Sequence, residues 1–298
     1  MECAGSSNRR DETKGRTLIV TALALCELVR LPQTLVAVAF LLLGAYLGAE
    51  SAAWVAPPVL RAAVVVGLVV AFGFAINDRC DAASDALARP HRPLPSGRIS
   101  SRLAEAVAVL LSGTAVVLGW SLGPALGSMA AGTVTLAAAY SFWLKNTLLL
   151  GNVAMAVLVA SIPVYGAMAA GRVTLAVMAA VAMALPYVLA QEILFCVEDE
   201  EQDRQAGLKT TANRLGAERA LGLVQFFLGA FVVVAVLPAL VGRAPRQYLP
   251  TVLLCSVLPA LAMTWILTFR VSGSPVRTAT SLVRVTWLSG FLPLVLLK

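Results

Sequence analysis

A chain of 298 residues, of which 59% are hydrophobic and 13% are charged, is too apolar for a soluble domain, in which about 25% of residues are charged. The net charge of +7 does not indicate a nucleic-acid partner, because Lys and Arg of membrane proteins collect in cytoplasmic loops and at lipid headgroups. Five scattered cysteines and the single histidine, His91, provide no pattern for a disulfide framework, a zinc site or a Ser-His-Asp triad.

The apolar segments predict an all-α polytopic membrane protein with nine transmembrane helices around a central cavity. Each segment reaches the roughly 20 residues that a spanning helix needs, and the alternating pattern of a membrane barrel is absent. Residues 1–16 are polar and predict a disordered cytoplasmic tail, while 17–298 predict one transmembrane domain. In chain order the helices are predicted near 24–48, 56–77, 101–122, 124–144, 148–169, 173–197, 216–241, 247–270 and 277–297.

Positive residues are distributed unevenly between the loops. They concentrate in the N-terminal tail and after the second, fourth, sixth and eighth predicted helices, whereas the opposite loops hold fewer. Because Lys and Arg mark cytoplasmic loops, the sequence predicts an integral protein of a bacterial-type cell membrane with a cytoplasmic N-terminus. The C-terminal Lys298 is then predicted outside. The oligomeric state is unknown from sequence.

Two acidic clusters follow predicted helices. The first contains Asn77, Asp78, Asp81 and Asp85, and the second contains Asp199 and Asp203. In a helix the i, i+4 spacing places carboxylates on one face, where like charges are destabilising unless a cation bridges them. Mg²⁺ prefers oxygen ligands and is usually held by a few carboxylates together with substrate phosphates. The six residues therefore predict a Mg²⁺ site that holds a diphosphate at the mouth of the bundle.

Basic residues near these clusters are candidates for contacts with phosphate oxygens. Arg92 lies in a proline-rich loop, Lys145 ends the fourth predicted helix, and Arg30 lies early in the first. Arg204 and Lys209 follow the second acidic cluster. One guanidinium group can donate two parallel hydrogen bonds to the oxygens of a phosphate group. The alternative for each single cation is a role in membrane topology and headgroup contact.

Three motifs carry a resemblance to a known family. The run NDxxDxxxDxxxRPxRPLPSGxIS, over 77–100, resembles the first signature of the UbiA superfamily of intramembrane prenyltransferases. The segment 140–145, followed by Gly151 and Asn152, resembles the middle motif of that family, and the run 191–216 resembles its second Asp-rich signature. The resemblance extends from about Arg30 to the C-terminus.

The resemblance implies a specific activity. Members of the family use Mg²⁺ to bind a prenyl diphosphate and transfer the prenyl chain to a small acceptor, often an aromatic ring, within the membrane. It implies catalytic roles for Asp81, Asp199, Asp203 and Lys145, and diphosphate contacts for Asn77, Arg92, Lys145, Asn152, Arg204, Lys209 and Arg30. The chain departs from several members at Gln191, where they carry Arg, and at Phe195-Cys196, where they carry Lys-Asp. These departures leave the metal site intact and concern the acceptor and any auxiliary phosphate contact.

Two other functions remain open from the sequence. Loss of diphosphate would leave an allylic carbocation in the dry bundle, and this cation could be cyclised instead of transferred, as in UbiA-type terpene cyclases. A transporter that uses intramembrane carboxylates is a more distant alternative, although the charges gather at helix ends on one side. Aromatic faces are candidates for stabilising the cation. The candidates are Phe74, Phe142, Tyr140, Tyr165, Tyr187 and Phe195.

Overall fold

The computed structural model describes residues 19–50, 52–270 and 274–298, and these residues form helices and connecting turns without any strand. The predicted tail over 1–16 lies outside this described part. The helices are α1 Ile19–Leu28, α2 Leu31–Gly48, α3 Pro57–Cys80, α4 Ala82–Ala88, α5 Ser101–Ser121, α6 Pro124–Phe142, α7 Leu150–Ala169, α8 Leu175–Glu198, α9 Glu200–Gln205, α10 Thr211–Leu215, α11 Ala217–Leu240, α12 Tyr248–Val252, α13 Leu258–Phe269, α14 Pro275–Ser289 and α15 Phe291–Val295.

The prediction of an all-α integral membrane protein is confirmed. Among the described residues, eight helical segments are long and apolar enough to span a membrane. They are α2, α3, α5, α6, α7, α8, α11 and the continuous segment Tyr248–Phe269, in which a π-helical turn at Leu253–Val257 joins α12 to α13. The ninth predicted helix, 277–297, is divided at Gly290 into α14 and α15. Gly290 and nearby Pro293 are both poor residues for a helix interior.

The first predicted helix, 24–48, is also divided. Arg30 adopts a left-handed backbone conformation with φ 45° and ψ 59°, and it separates α1 from α2. Pro32 lies in the first turn of α2, where its missing N–H group is tolerated, but it cannot continue a helix from α1. The break brings the Arg30 side chain to the end of α3.

The core of the bundle depends on a close crossing between α2 and α7. A Cβ atom added to Gly44 would lie 2.1 Å from the carbonyl oxygen of Pro163, and one added to Gly166 would lie 2.1 Å from that of Leu41. Small residues of this kind let the backbones of membrane helices approach closely. Helix α2 also contacts α3 and α8, and α8 contacts α11 and α14. This packing brings the C-terminal ends of α3, α6 and α8 to the same end of the molecule.

Candidate active site

The first acidic cluster surrounds the junction between α3 and α4. Asp81 caps the C-terminus of α3 with φ −91° and ψ 2°, and α4 begins immediately afterwards. The Asn77 amide donates a hydrogen bond to Oδ2 of Asp81 at 2.9 Å. Asp78 and Asp85 face the protein interior and are only 4% and 5% exposed. The four predicted ligands thus form an outer pair, Asn77 and Asp81, and an inner pair.

The inner carboxylates are held by arginines. Arg30 donates to Oδ1 of Asp78 at 2.9 Å, and its guanidinium lies 4.7 Å from the centre of the Phe74 ring. Arg92 donates to Oδ2 of Asp85 at 2.6 Å and approaches Oδ1 of Asp78 at 3.4 Å. A buried carboxylate is costly unless it is paired in this way. Arg30 and Arg92 therefore hold the first cluster in place.

The outer carboxylate, Asp81, is bound from another helix. The Lys145 ammonium forms an ion pair with Oδ1 of Asp81. Lys145 lies in a 3₁₀ turn, Leu144–Asn146, that directly follows the C-terminus of α6. The predicted neighbourhood of Asp81 and Lys145 is thus present in the structure.

The second acidic cluster meets the first through Arg89. Asp199 caps α8, and Asp203 follows one turn later in α9. Arg89 ends α4 and donates to both carboxylate oxygens of Asp199, at 3.0 and 2.9 Å. The same guanidinium lies 4.0 Å from Asp85. The two clusters, which are far apart in sequence, therefore share one site.

The carboxylates of the two clusters influence one another electrostatically, as the pKa of Asp203 shows. Burial raises the pKa of Asp203 to about 6, and the negative charges of Asp199 and Asp81 act in the same direction. A cation placed among these three groups would relieve this repulsion. Their oxygen ligands, with that of Asn77, are of the type that Mg²⁺ prefers. Within the described residues no three acidic, His or Cys side chains already converge on one metal position. Lys145 and Arg89 form ion pairs with Asp81 and Asp199 in this arrangement.

Other predicted site residues have different surroundings. Asn152 is buried, accepts a hydrogen bond from Thr211 at 2.6 Å and donates to the Cys196 sulfur at 3.6 Å, so its amide joins α7 to α8 and α10. Arg204 is exposed and pairs with Glu201 in the same helix. Lys209 is exposed. Its ammonium forms no ion pair or hydrogen bond with any residue that the structure describes.

Arg89 is the residue that sequence reasoning missed. The proline-rich loop offers several arginines, of which Arg92 and Arg98 both suit phosphate oxygens and Arg92 is the preferred candidate. In the structure Arg98 instead bonds to Glu27 at 2.7 Å and to the carbonyl oxygen of His91 at 2.6 Å. The sequence feature that could have identified Arg89 is its i, i+4 spacing from Asp85, which places the two side chains on the same face of a helix.

A cavity of about 520 Å³ opens beside Asp81 and Lys145. Its polar wall contains these two residues, and its apolar wall contains Leu87, Leu208 and Phe142. Phe142, one of the six aromatic candidates, is 51% exposed. The cavity therefore combines a charged end with an apolar surface, as an amphiphilic substrate requires.

Two further aromatic candidates lie in helix packing. Tyr165 is buried in the core, and Tyr187 donates a hydrogen bond to the carbonyl oxygen of Val283 at 3.2 Å. Tyr140 retains partial exposure near the end of α6. Its phenol lies within electrostatic range of Asp81 and Asp203. Of these three aromatic residues, Tyr140 has the surroundings that best fit a reacting cation.

These features define an intramembrane enzyme with paired acidic clusters beside an amphiphilic cavity. The chain belongs to the UbiA prenyltransferase family, whose model matches residues 17–289. It is thus a prenyltransferase, as the motifs predict.

The relatives and structural neighbours extend over most of the chain. Digeranylgeranylglyceryl phosphate synthase of Methanopyrus kandleri is 37% identical over 211 residues, which are 68% of this chain and 77% of the relative. The enzyme of the same name from Ignicoccus hospitalis is 33% identical over 264 residues, or 85% and 86% of the two chains.

Solved structures have the same fold. A structure of digeranylgeranylglyceryl phosphate synthase in membranes has a TM-score of 0.75 at 21% identity and covers 92% of this chain and 97% of its own. A UbiA homolog from Archaeoglobus fulgidus bound to GPP and Mg²⁺ has a TM-score of 0.67 at 20% identity and covers 91% and 99%.

Proposed function

We propose that the protein transfers a prenyl group from an isoprenoid diphosphate to an acceptor within the membrane, with Mg²⁺ as cofactor and diphosphate as leaving group. The observation that carries the proposal is the meeting of the two acidic clusters, where Arg89 bonds to Asp199 and lies 4.0 Å from Asp85. A transporter gives no reason for two such clusters at one end of the bundle.

Asn77, Asp81, Asp199 and Asp203 would hold the metal ion. The oxygen ligands of these residues and the mutual repulsion around Asp203 support this assignment. Structures of a UbiA homolog from Archaeoglobus fulgidus, bound to Mg²⁺ together with GPP or DMAPP, support Mg²⁺ as the cofactor. When bound, Mg²⁺ would neutralise the negative charge that develops on the departing diphosphate. Asp78 and Asp85 would act indirectly, because Arg30 and Arg92 already neutralise them.

Residues of the chain itself would bind and orient the diphosphate. Lys145 and Arg89 already lie at the acidic clusters, and both carry donors that suit phosphate oxygens. Lys209, exposed and without an ion pair in the described part of the chain, is available for the same purpose. Phe142 and Leu87 would provide apolar contacts for the prenyl chain beside the charged residues. Arg204 is the weakest candidate, since it is exposed and bound to Glu201.

The acceptor we propose is the free hydroxyl group of a glyceryl phosphate lipid. Support comes from the relatives from Methanopyrus kandleri and Ignicoccus hospitalis, which are digeranylgeranylglyceryl phosphate synthases. A site inside the membrane suits a lipid acceptor as well as a prenyl donor. The acidic clusters would face the cytoplasm, where soluble diphosphate can leave.

The test uses the purified full chain in detergent or liposomes. Dimethylallyl, geranyl and geranylgeranyl diphosphates are each supplied with Mg²⁺ and with either an alkylglyceryl phosphate or a hydroxybenzoate. We expect a prenyl ether of the glyceryl phosphate and released diphosphate, both lost with EDTA. Cyclic hydrocarbons formed without acceptor would contradict transfer and favour cyclisation. A prenylated hydroxybenzoate as the main product would leave transfer intact but overturn the proposed acceptor.

A further inference from the structure

A second polar group lies deeper in the bundle, below the acidic clusters. Gln191 and Glu192 are eight and seven positions before Asp199, respectively, in α8, which places Glu192 about 10 Å further into the helix. Both lie inside a segment of membrane-spanning character, Leu175–Glu198. Ionisable groups at such positions are rare and usually functional. None of the proposed metal or diphosphate contacts accounts for Glu192.

The Glu192 carboxyl group is anchored on one side only. Its Oε1 accepts a hydrogen bond from the Gln191 amide at 3.4 Å. Its Oε2 has no partner among the described residues, yet it is not among the polar atoms sealed from solvent. Glu192 is also partly exposed despite its depth in the bundle. One oxygen is therefore held in place by Gln191, while the other has no hydrogen bond to the described residues.

The anchor itself is fixed by aromatic packing. Trp287 of α14 donates its indole N–H to Oε1 of Gln191, which leaves the amide nitrogen directed at Glu192. The Trp287 ring packs edge-on against Tyr187, at 5.8 Å between ring centres, and against Phe40, at 6.1 Å. Gln191 thus positions Glu192, and it does so where several family members carry Arg.

Glu192 has no positively charged partner among the side chains that the structure describes. Among the described residues no positively charged group acts on this carboxylate, and its one polar contact is Gln191. An ionised carboxylate without a cation is costly in an apolar bundle, and a purely structural carboxylate would have both oxygens paired. The Tyr140 phenol lies within electrostatic range of Glu192 and also of Asp81 and Asp203. Through Tyr140, Glu192 is therefore a neighbour of the residues of the acidic clusters.

We infer that Glu192 takes the proton from the acceptor hydroxyl while that oxygen attacks the allylic carbon of the prenyl donor. The inference rests on the proposed function and names the group that activates the acceptor. A lone pair of the hydroxyl oxygen forms the new carbon–oxygen bond. The bond from the allylic carbon to the diphosphate oxygen breaks, and its electron pair leaves with the diphosphate. The hydroxyl proton passes to Oε2 of Glu192 and from there to water.

The inference restricts the acceptor class to molecules that carry a hydroxyl group and lose its proton on transfer. Glu192 would contact the acceptor and is therefore a catalytic residue, whereas Gln191 is a positioning residue. A water molecule that reaches the cation instead would produce the prenyl alcohol. The ratio of prenyl ether to prenyl alcohol hence measures activation of the acceptor separately from departure of diphosphate.

The test compares Glu192→Gln with the unmodified protein, using geranylgeranyl diphosphate, Mg²⁺ and an alkylglyceryl phosphate. Glutamine keeps the size of the side chain but cannot take a proton. We expect kcat for ether formation to fall about 100-fold or more, while the KM for geranylgeranyl diphosphate stays within about twofold and diphosphate release continues. The ratio of ether to alcohol should fall accordingly. Glu218→Gln, at an exposed position in α11, is the matched control and should keep the native ratio.

A fluorinated alkylglyceryl phosphate with a more acidic hydroxyl should recover part of the loss in Glu192→Gln. Glu192→Asp, which keeps a base, should retain a higher ether-to-alcohol ratio than Glu192→Gln, and it also serves if the Gln variant does not accumulate. A native ratio in Glu192→Gln would overturn the inference. Equal loss of ether and diphosphate release would show a structural role and overturn it too. If the unmodified protein released no diphosphate, the proposed function itself would be wrong.

Discussion

Arg89 donates hydrogen bonds to both carboxylate oxygens of Asp199, at 3.0 and 2.9 Å, across 110 positions of sequence. The contact joins the end of α4 to the end of α8 and so connects the two acidic clusters. Both side chains are about one third exposed, so solvent and substrate can reach them. Arg89 forms hydrogen bonds with Asp199, which the proposed function assigns as a ligand of the metal ion. Arg89 must therefore release Asp199 when the metal and substrate bind, and its guanidinium can then contact the diphosphate.

We expect Arg89→Ala to raise the KM for the prenyl diphosphate about 10-fold, which corresponds to about 1.4 kcal/mol. The reason is the loss of a bidentate donor beside the leaving group. Arg89→Lys should recover little, because an ammonium cannot reproduce the paired geometry. Steady-state kinetics with varied donor measure the effect. Arg79→Ala, which removes the exposed pair with Glu105, is the control and should leave the KM unchanged.

Asp81→Ala and Asp199→Ala should each lower turnover by about 1,000-fold or more, since each removes a proposed ligand of the cation that stabilises the leaving group. Both variants should still insert, because neither residue lies in the packed core. Product formation and membrane fractionation are measured together, with Glu105→Ala as the control. If either variant kept near-native rates with EDTA present, the metal assignment would be wrong.

The apolar helices were predictable because length and hydropathy alone determine whether a segment can span a membrane. The helix breaks were harder to predict. Pro32 marked the start of α2, but the left-handed conformation of Arg30 and its contact with Asp78, 48 positions away, have no local signal in the sequence. Within the site, motif spacing identified the acidic residues correctly as neighbours. Which arginine of the proline-rich loop meets Asp199 depends on the backbone path between α4 and α5, and sequence patterns do not specify that path.

The contacts of Arg92 predict an effect on stability as well as on activity. Arg92→Ala would leave Asp85 nearly buried with only Arg89 at 4.0 Å, and breaking a buried pair costs about 3–5 kcal/mol. We therefore expect a lower Tm in detergent, measured by thermal unfolding. Adding Asp85→Asn should restore much of the loss, because the unpaired charge is removed. An unchanged Tm in Arg92→Ala would show that Arg92 contributes to substrate binding but not to the stability of the fold.

The α2–α7 crossing makes a prediction about helix packing. Gly44→Ala places a Cβ 2.1 Å from the carbonyl oxygen of Pro163, so the two helices must separate, at a cost of about 1–3 kcal/mol. Gly132→Ala in α6 is the matched control, because no heavy atom outside its own helix backbone lies within 4 Å and Ala favours a helix. Thermal unfolding should show a loss for Gly44→Ala and none for Gly132→Ala. Equal Tm values would contradict the close crossing.

The orientation in the membrane can be tested at both ends of α2. Arg30, at its start, contacts Asp78 of the acidic site, whereas Lys298 lies 4.1 Å from the centre of the Tyr46 ring near its end. The two sites therefore lie at opposite ends of the bundle. In a cysteine-free variant, Ser84→Cys and Gln202→Cys should react with an impermeant maleimide only after cells are opened. Glu50→Cys, at the Lys298 end, should react in intact cells. The reverse pattern would place the acidic clusters outside and contradict the prediction from positive charge.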